Sequence, residues 1–340
     1  MAKRTNPVEP KWILVFVFFV CGLFAGGLGI YLYTQSSLPT QQRLHLAHDQ
    51  YQYVNPTIAT EPTNDYGNYS STVSQDVDLK IRGLTDAAKS KNEVTDISIY
   101  FRDFETGRWL ASNANMSFSP GILTKTPMMI AYYKLAENNP AILDASINFN
   151  GTFLSEQDIF NTGKAKLVPG LDYKVDDLIR KMLRDSDETA AGVLFDHIDK
   201  NVLAEVFSDL GVDFNEDKVG RDFITLKRYS VFFRALYNGT YLTLEYSEKA
   251  LELLAQDKTD SLLQRGLPQS IPFVGHVGGR NFVEKNEKQY EVYECDIIYY
   301  PKHNYMLCAA AHGSSLEGIK KLFTNIGAVM YSDMAYRYAL

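Results

Sequence analysis

Cysteine is scarce in this chain, with Cys21, Cys295 and Cys308 the only three in 340 residues. That is too few for a disulfide-built scaffold. Cys21 stands in an apolar run, and the other two fall in a predicted hairpin. With a turn centred near Lys302 and His303, Cys308 faces Ile297 rather than Cys295, so all three read as free thiols in apolar surroundings. A basic stripe is also missing: acids and bases intersperse to a net charge of −7. Nucleic acid is therefore not an expected partner. No cofactor and no metal ion is expected either. What the chain does have is 45% hydrophobic residues, ample for a sizeable core in more length than one ordinary domain requires.

One long apolar run is present. Trp12 to Tyr33 is uncharged and long enough to cross a bilayer as a helix, for which roughly 20 residues are needed. Lys3, Arg4 and Lys11 precede it, and no basic residue follows before Arg43. Positive charge on that side predicts a cytoplasmic N-terminus with the remainder outside. A cleaved signal peptide would have an apolar core of about 7–15 residues ending in small side chains. This run is longer and ends Tyr-Leu-Tyr, so an uncleaved anchor is the expectation. The expected division is a cytoplasmic tail at 1–11, a transmembrane anchor at 12–34, an extracytoplasmic tether rich in Ser, Thr, Gln, Asn and Pro at 35–77, and one domain at 78–340. The expected location is thus the cell membrane, single-pass, with the domain outside.

Helical spacing at Leu79, Leu84 and Ala87 marks a helix over 76–92, weakened by Gly83. A hairpin follows, strands 97–104 and 108–112 around Glu105-Thr106-Gly107. The middle of the chain is helical, with patterns in 172–198 broken at Arg184-Asp185, then at 200–210, 225–238 and 246–256. Strands return at 271–277, 290–301 and 305–311, and a helix from Leu316 to Tyr336 ends the chain. Antiparallel strands between an N-terminal and a C-terminal helix, with helices inserted after the first hairpin, predict an α+β domain.

The stretch Phe118 to Asn138 is the most informative. Ser119 can cap a helix, Pro120 suits its first turn, and Met128, Met129, Ile130, Ala131 and Leu135 continue it until Asn139-Pro140. Lys125 lies in its first turns. Read alone, it is as readily a lysine whose head reaches solvent past the helix end as a functional one.

Phe118, Pro120, Leu123, Lys125 and Pro127 match the phrase F-x-P-A-S-L-x-K-x-P, and the segment resembles the active-site helix of class A β-lactamases and penicillin-binding proteins. The resemblance implies that Ile122 occupies the position of the nucleophilic serine and that Lys125 is its partner lysine. Met182 to Ala190 resembles the second motif of that family, S-D-N: Ser186 and Asp187 match, and Glu188 replaces the asparagine. Gly275 to Arg280 resembles the third, K-T-G after a histidine. His276 and Gly279 match, Val277 stands for the lysine and Gly278 for the threonine. No E-x-x-x-N segment of the kind that supplies a deacylating glutamate occurs between Ser186 and Thr225.

The resemblance spans about 78–340 and implies the β-lactamase/transpeptidase-like fold. It also implies that the chemistry is lost, since Ile122 has no atom that can attack a carbonyl. Ile122, Lys125, Ser186, Asp187, Glu188, His276, Val277, Gly278 and Gly279 then form a vestigial pocket, with no catalytic residue expected to work. Lys125 loses a neighbouring cation and gains an acid, and an ion pair with Glu188 is expected to fill the pocket. The expected role is binding or scaffolding at the cell envelope, toward a wall peptide or an envelope protein. The alternatives are a serine-type hydrolase with an unorthodox nucleophile and an assembly module of an envelope complex.

Overall fold

The computed structural model describes residues 51–55, 69–118, 125–151, 158–160, 167–212, 214, 224–257 and 260–338. Their order is β1 (Tyr69–Ser71), α1 (Gln75–Ser90), β2 (Asp96–Asp103), β3 (Trp109–Ser112), β4 (Ser117–Phe118), α2 (Lys125–Asn138), β5 (Ser146–Asn148) and β6 (Asp172–Lys174). Then come α3 (Val175–Arg184), α4 (Glu188–His197), α5 (Lys200–Asp209), β7 (Ile224–Thr225), α6 (Leu226–Tyr237), α7 (Leu244–Ala255), β8 (Phe273–Glu284), β9 (Glu287–Ile298), β10 (Tyr305–Gly313) and α8 (Leu316–Arg337). Six strands make one antiparallel sheet in the order β1-β3-β2-β10-β9-β8, so β8 is an edge.

Local chemistry accounts for the ends of the two framing helices. Ser74 caps α1 by accepting from the Val77 amide, with Asp76 and Asp78 in the first turn and Lys89 in the last. Ser315 caps α8 through the Gly318 amide at 3.0 Å. Val77, Ile81 and Ala88 of α1 join Ile319, Leu322, Phe323, Ile326 and Met330 of α8 over Ile97, Ile99, Phe101, Leu307 and Ala309 of the sheet. Each large side chain buried there contributes about 1.5–3 kcal/mol. The opposite face of the sheet meets the inserted helices, where Phe118 stacks on Tyr293. The expected α+β architecture is therefore present.

Two expectations need correction. Cys295 and Cys308 are bonded to each other. Strands β9 and β10 pair Ile298 with Tyr305, which centres the turn at Pro301-Lys302, and Lys302 takes a φ of +64°. A turn one residue earlier on the second strand puts Cys308 opposite Cys295 and not Ile297. Parts of the stretch 35–77, expected as a tether, belong to the folded domain. Residues 69–71 pair with β3, and the buried Glu248 carboxylate accepts the amides of Gln52, Tyr53 and Val54 at 2.7–3.0 Å. No helix among the described residues is long and apolar enough to cross a membrane, and the apolar run 12–34 lies outside them.

Candidate functional site

The first nine residues of helix α2, Lys125 to Tyr133, are buried all round. Met128, Met129, Ile130, Ala131, Tyr132 and Tyr133 are all buried, as expected of a helix at the centre of a domain. Lys125 at its start is fully enclosed, so its head does not escape to solvent. Ser119, Ile122 and Thr124 lie outside the described residues.

The enclosed ammonium finds its partners on two other segments. Ser186 sits in the turn between α3 and α4 with φ +52°, a left-handed conformation uncommon outside glycine, and its hydroxyl lies 3.0 Å from Lys125 Nζ. Asp187 caps α4 by accepting from the amides of Thr189 and Ala190, so its role in the turn is structural. Glu188, one residue on, brings Oε1 to 2.5 Å from Lys125 Nζ. The ion pair anticipated from the sequence is thus formed.

Asp158 is the partner that the sequence did not reveal. Its Oδ2 lies 3.8 Å from Lys125 Nζ, its Oδ1 accepts from the amides of Phe160 and Gly279, and it is 3% exposed. No motif surrounds it, and only the path of the chain carries it back to Lys125. Asp257 was missed for the same reason. Its carboxylate lies 2.7 Å from Nδ1 of His276, nineteen residues away.

Strand β8 assigns its side chains differently from the expected third motif. Val277 pairs with Glu294 and belongs to the core beneath α1 and α8. It does not stand beside Lys125. Side chains alternate along a strand, so His276 takes the face that looks toward the inserted helices, with Tyr293 and Cys295. His276 is 1% exposed, and its Nε2 has no hydrogen-bond partner among the described residues. Gly278 and Gly279 are where neighbours come too close for a side chain. A Cβ at Gly278 would lie 2.6 Å from the Tyr293 ring, and one at Gly279 would lie 2.7 Å from the Glu291 carbonyl.

A family model described as the beta-lactamase enzyme family matches residues 80–334, well over half of the chain. The chain belongs to this family. Among solved structures it is similar to a beta-lactamase from Chitinophaga pinensis at 15% identity and TM-score 0.65, covering 76% of this chain and 100% of that one. It is likewise similar to PBP-A at 15% identity and TM-score 0.62, covering 76% and 96%. A beta-lactamase from Sphaerobacter thermophilus gives 18% identity and TM-score 0.61 over 74% and 95%. At these identities the likeness speaks for the fold. No curated protein sequence matches the chain at a significant level.

Within this beta-lactamase family domain the electrostatics of the site are set by two acids around one cation. Burial pushes the Glu188 carboxyl up, against the pull of Lys125, and Asp158 adds to the rise. Burial likewise raises Asp158, with Lys125 and two backbone amides opposing it. Asp187 is raised by burial too. The ammonium already has from its own chain the counter-charge that an anionic ligand would bring, and any such ligand must displace a carboxylate to reach it.

Proposed function

We propose that this is a membrane-anchored, extracytoplasmic member of the β-lactamase and penicillin-binding protein group that has given up catalysis and serves as a binding or scaffolding domain at the cell envelope. The observation that carries this reading is the state of Lys125, enclosed and held by Glu188, Asp158 and Ser186. A lysine that activates a nucleophile must face one, and the family's serine position is Ile122 in this sequence. The anchor rests on the uncharged run 12–34 and the basic residues before it. No cofactor or metal enters this reading. A wall peptide or an envelope protein is the partner class it favours.

A second reading has one observation behind it. Ser186 places a hydroxyl 3.0 Å from Lys125 Nζ, the relation a serine nucleophile and its base would have. Against it, Ser186 is wholly buried and the lysine is held by two acids. Incubating the full-length protein with penicillin and measuring intact mass decides between them. The expected outcome is an unchanged mass, and a gain of one opened lactam mapped to Ser186 would overturn the noncatalytic reading.

A further inference from the structure

The hairpin of β8 and β9 outruns the rest of the sheet. β10 last pairs with β9 at Gly313 and Tyr290, whereas β8 and β9 go on pairing to Glu284 and Glu287 and turn through Lys285 and Asn286, both at positive φ. The projecting end of β8 is open to solvent: Asn281 and Glu284 are exposed, Phe282 is half-buried and Val283 is 73% exposed. Among the described residues it is a sheet edge. It carries neither the proline nor the bulge with which edges are commonly blunted. Residues of such a strand turn their amide and carbonyl alternately toward the neighbour and away from it. The Pro272 carbonyl accepts from Tyr299 opposite, so even positions face β9, while Gly279 has its amide on Asp158 and its carbonyl on the Ile159 amide, on the outer side. Beyond Gly279 the outward residues are therefore Asn281 and Val283.

We propose that residues 281–284 pair antiparallel with the same residues of a second copy of this chain, about a two-fold axis at Phe282, so that one sheet runs through both copies. The register follows from the strand itself. Outward residues must oppose outward residues, which places the axis at 281, 282 or 283. An axis at Asn281 would need Gly279, whose outward groups are taken, and one at Val283 would set Asn281 against Lys285 in the turn. An axis at Phe282 lets Asn281 of each copy exchange both of its outward bonds with Val283 of the other. Charge selects the same register, because Arg280 then opposes Glu284 of the second copy at both ends. Within its own hairpin Glu284 lies opposite Glu287, and like charges so placed repel. A cation from the second copy relieves that repulsion. Arg280 already bonds the buried Glu291 through Nε at 3.2 Å, and a guanidinium has five donors to share. The Phe282 rings meet across the axis as an aromatic pair. The added strand ends at Glu284 opposite Arg280, one residue short of Gly279, so the segment 158–160 keeps its place. So short an interface makes a reversible dimer.

Sedimentation equilibrium of the full-length chain in detergent micelles is the test. The expected protein mass rises toward that of two chains with concentration. Glu284→Arg sets arginine against arginine at both ends while ending the repulsion from Glu287. It should weaken association at least about tenfold and leave the thermal midpoint unchanged or higher, which separates a lost contact from a damaged fold. Val283→Pro removes only an outward amide and should have the same effect on association. A single-chain mass at every concentration would overturn the proposal. So would a dimer that Glu284→Arg leaves intact, since copies held through the run 12–34 would behave in that way. If Val283→Pro loses its thermal transition, cysteine trapping decides in its place. In a Cys21→Ser background, Phe282→Cys should cross-link two copies under mild oxidation, because facing residues on the axis have Cα atoms about 4.5 Å apart. Val283→Cys is more exposed but lies opposite Asn281 on the other face, and should cross-link at least about tenfold more slowly. Equal rates at the two positions would mean random collision, and the paired edge would not exist.

Discussion

Lys125 Nζ and Glu188 Oε1 meet at 2.5 Å inside the domain, the lysine fully enclosed and the glutamate 8% exposed. Removing Lys125 leaves its buried acids without a cation, and removing Glu188 leaves the ammonium only Asp158 at 3.8 Å. Lys125→Met and Glu188→Gln are each expected to cost about 3–5 kcal/mol, though the intact pair adds little net stability. The double variant should recover about 0.5–3 kcal/mol relative to the sum, as residues in one network do. Urea denaturation of the four proteins measures this, and strictly additive losses would show that the two side chains do not act as a pair.

Stability is expected to fall as pH rises through neutrality. Glu294 and Asp296 lie on one face of β9, wholly buried, where Glu294 accepts the amides of Leu262 and Leu263 and Asp296 accepts from Ser261. Burial raises both: Glu294 goes well above the usual carboxylate range, with repulsion from Asp296 adding to the rise, and Asp296 is pushed up to about 7. An acid that binds its proton more tightly folded than unfolded stabilises the fold below its unfolded pKa of about 4, and that contribution is lost as pH rises through the folded value. The thermal midpoint should therefore drop between about pH 5 and pH 8, and Asp296→Asn should flatten the drop. A midpoint that rises over this range would contradict the assignment.

Glu248 is expected to hold the N-terminal segment on the domain. Its carboxylate takes three consecutive amides, and Tyr299 adds a hydroxyl bond to the Tyr53 carbonyl at 2.9 Å. Glu248→Ala strands those amides at a cost of about 1–3 kcal/mol. Limited proteolysis should then cut near Tyr53 within minutes where the unaltered protein resists. Equal resistance in the two would show that the segment is held by other contacts.

Much of the fold was legible because its signals are local. The helical period of α1 and α8 and the apolar run of β10 arise within a turn or a strand of the residues concerned. The second motif could be placed because its residues are adjacent in sequence, and the short link between α3 and α4 delivers Ser186 and Glu188 together to Lys125 of the first. The third was read one position out of phase. A strand's side chains alternate every residue, so only its pairing with β9 decides that His276 looks toward the inserted helices while Val277 enters the core. The same kind of one-residue choice, made by the turn at Pro301-Lys302, joined two cysteines that the sequence kept apart. Asp158 and Asp257 had no local signal at all. Their partners lie 33 and 19 positions away, and only the closed chain brings each carboxylate to its lysine or histidine. What the sequence determined by itself was which elements form and in what order. Tertiary structure decided register and the return of loops, because both depend on contacts between residues that the chain does not hold together.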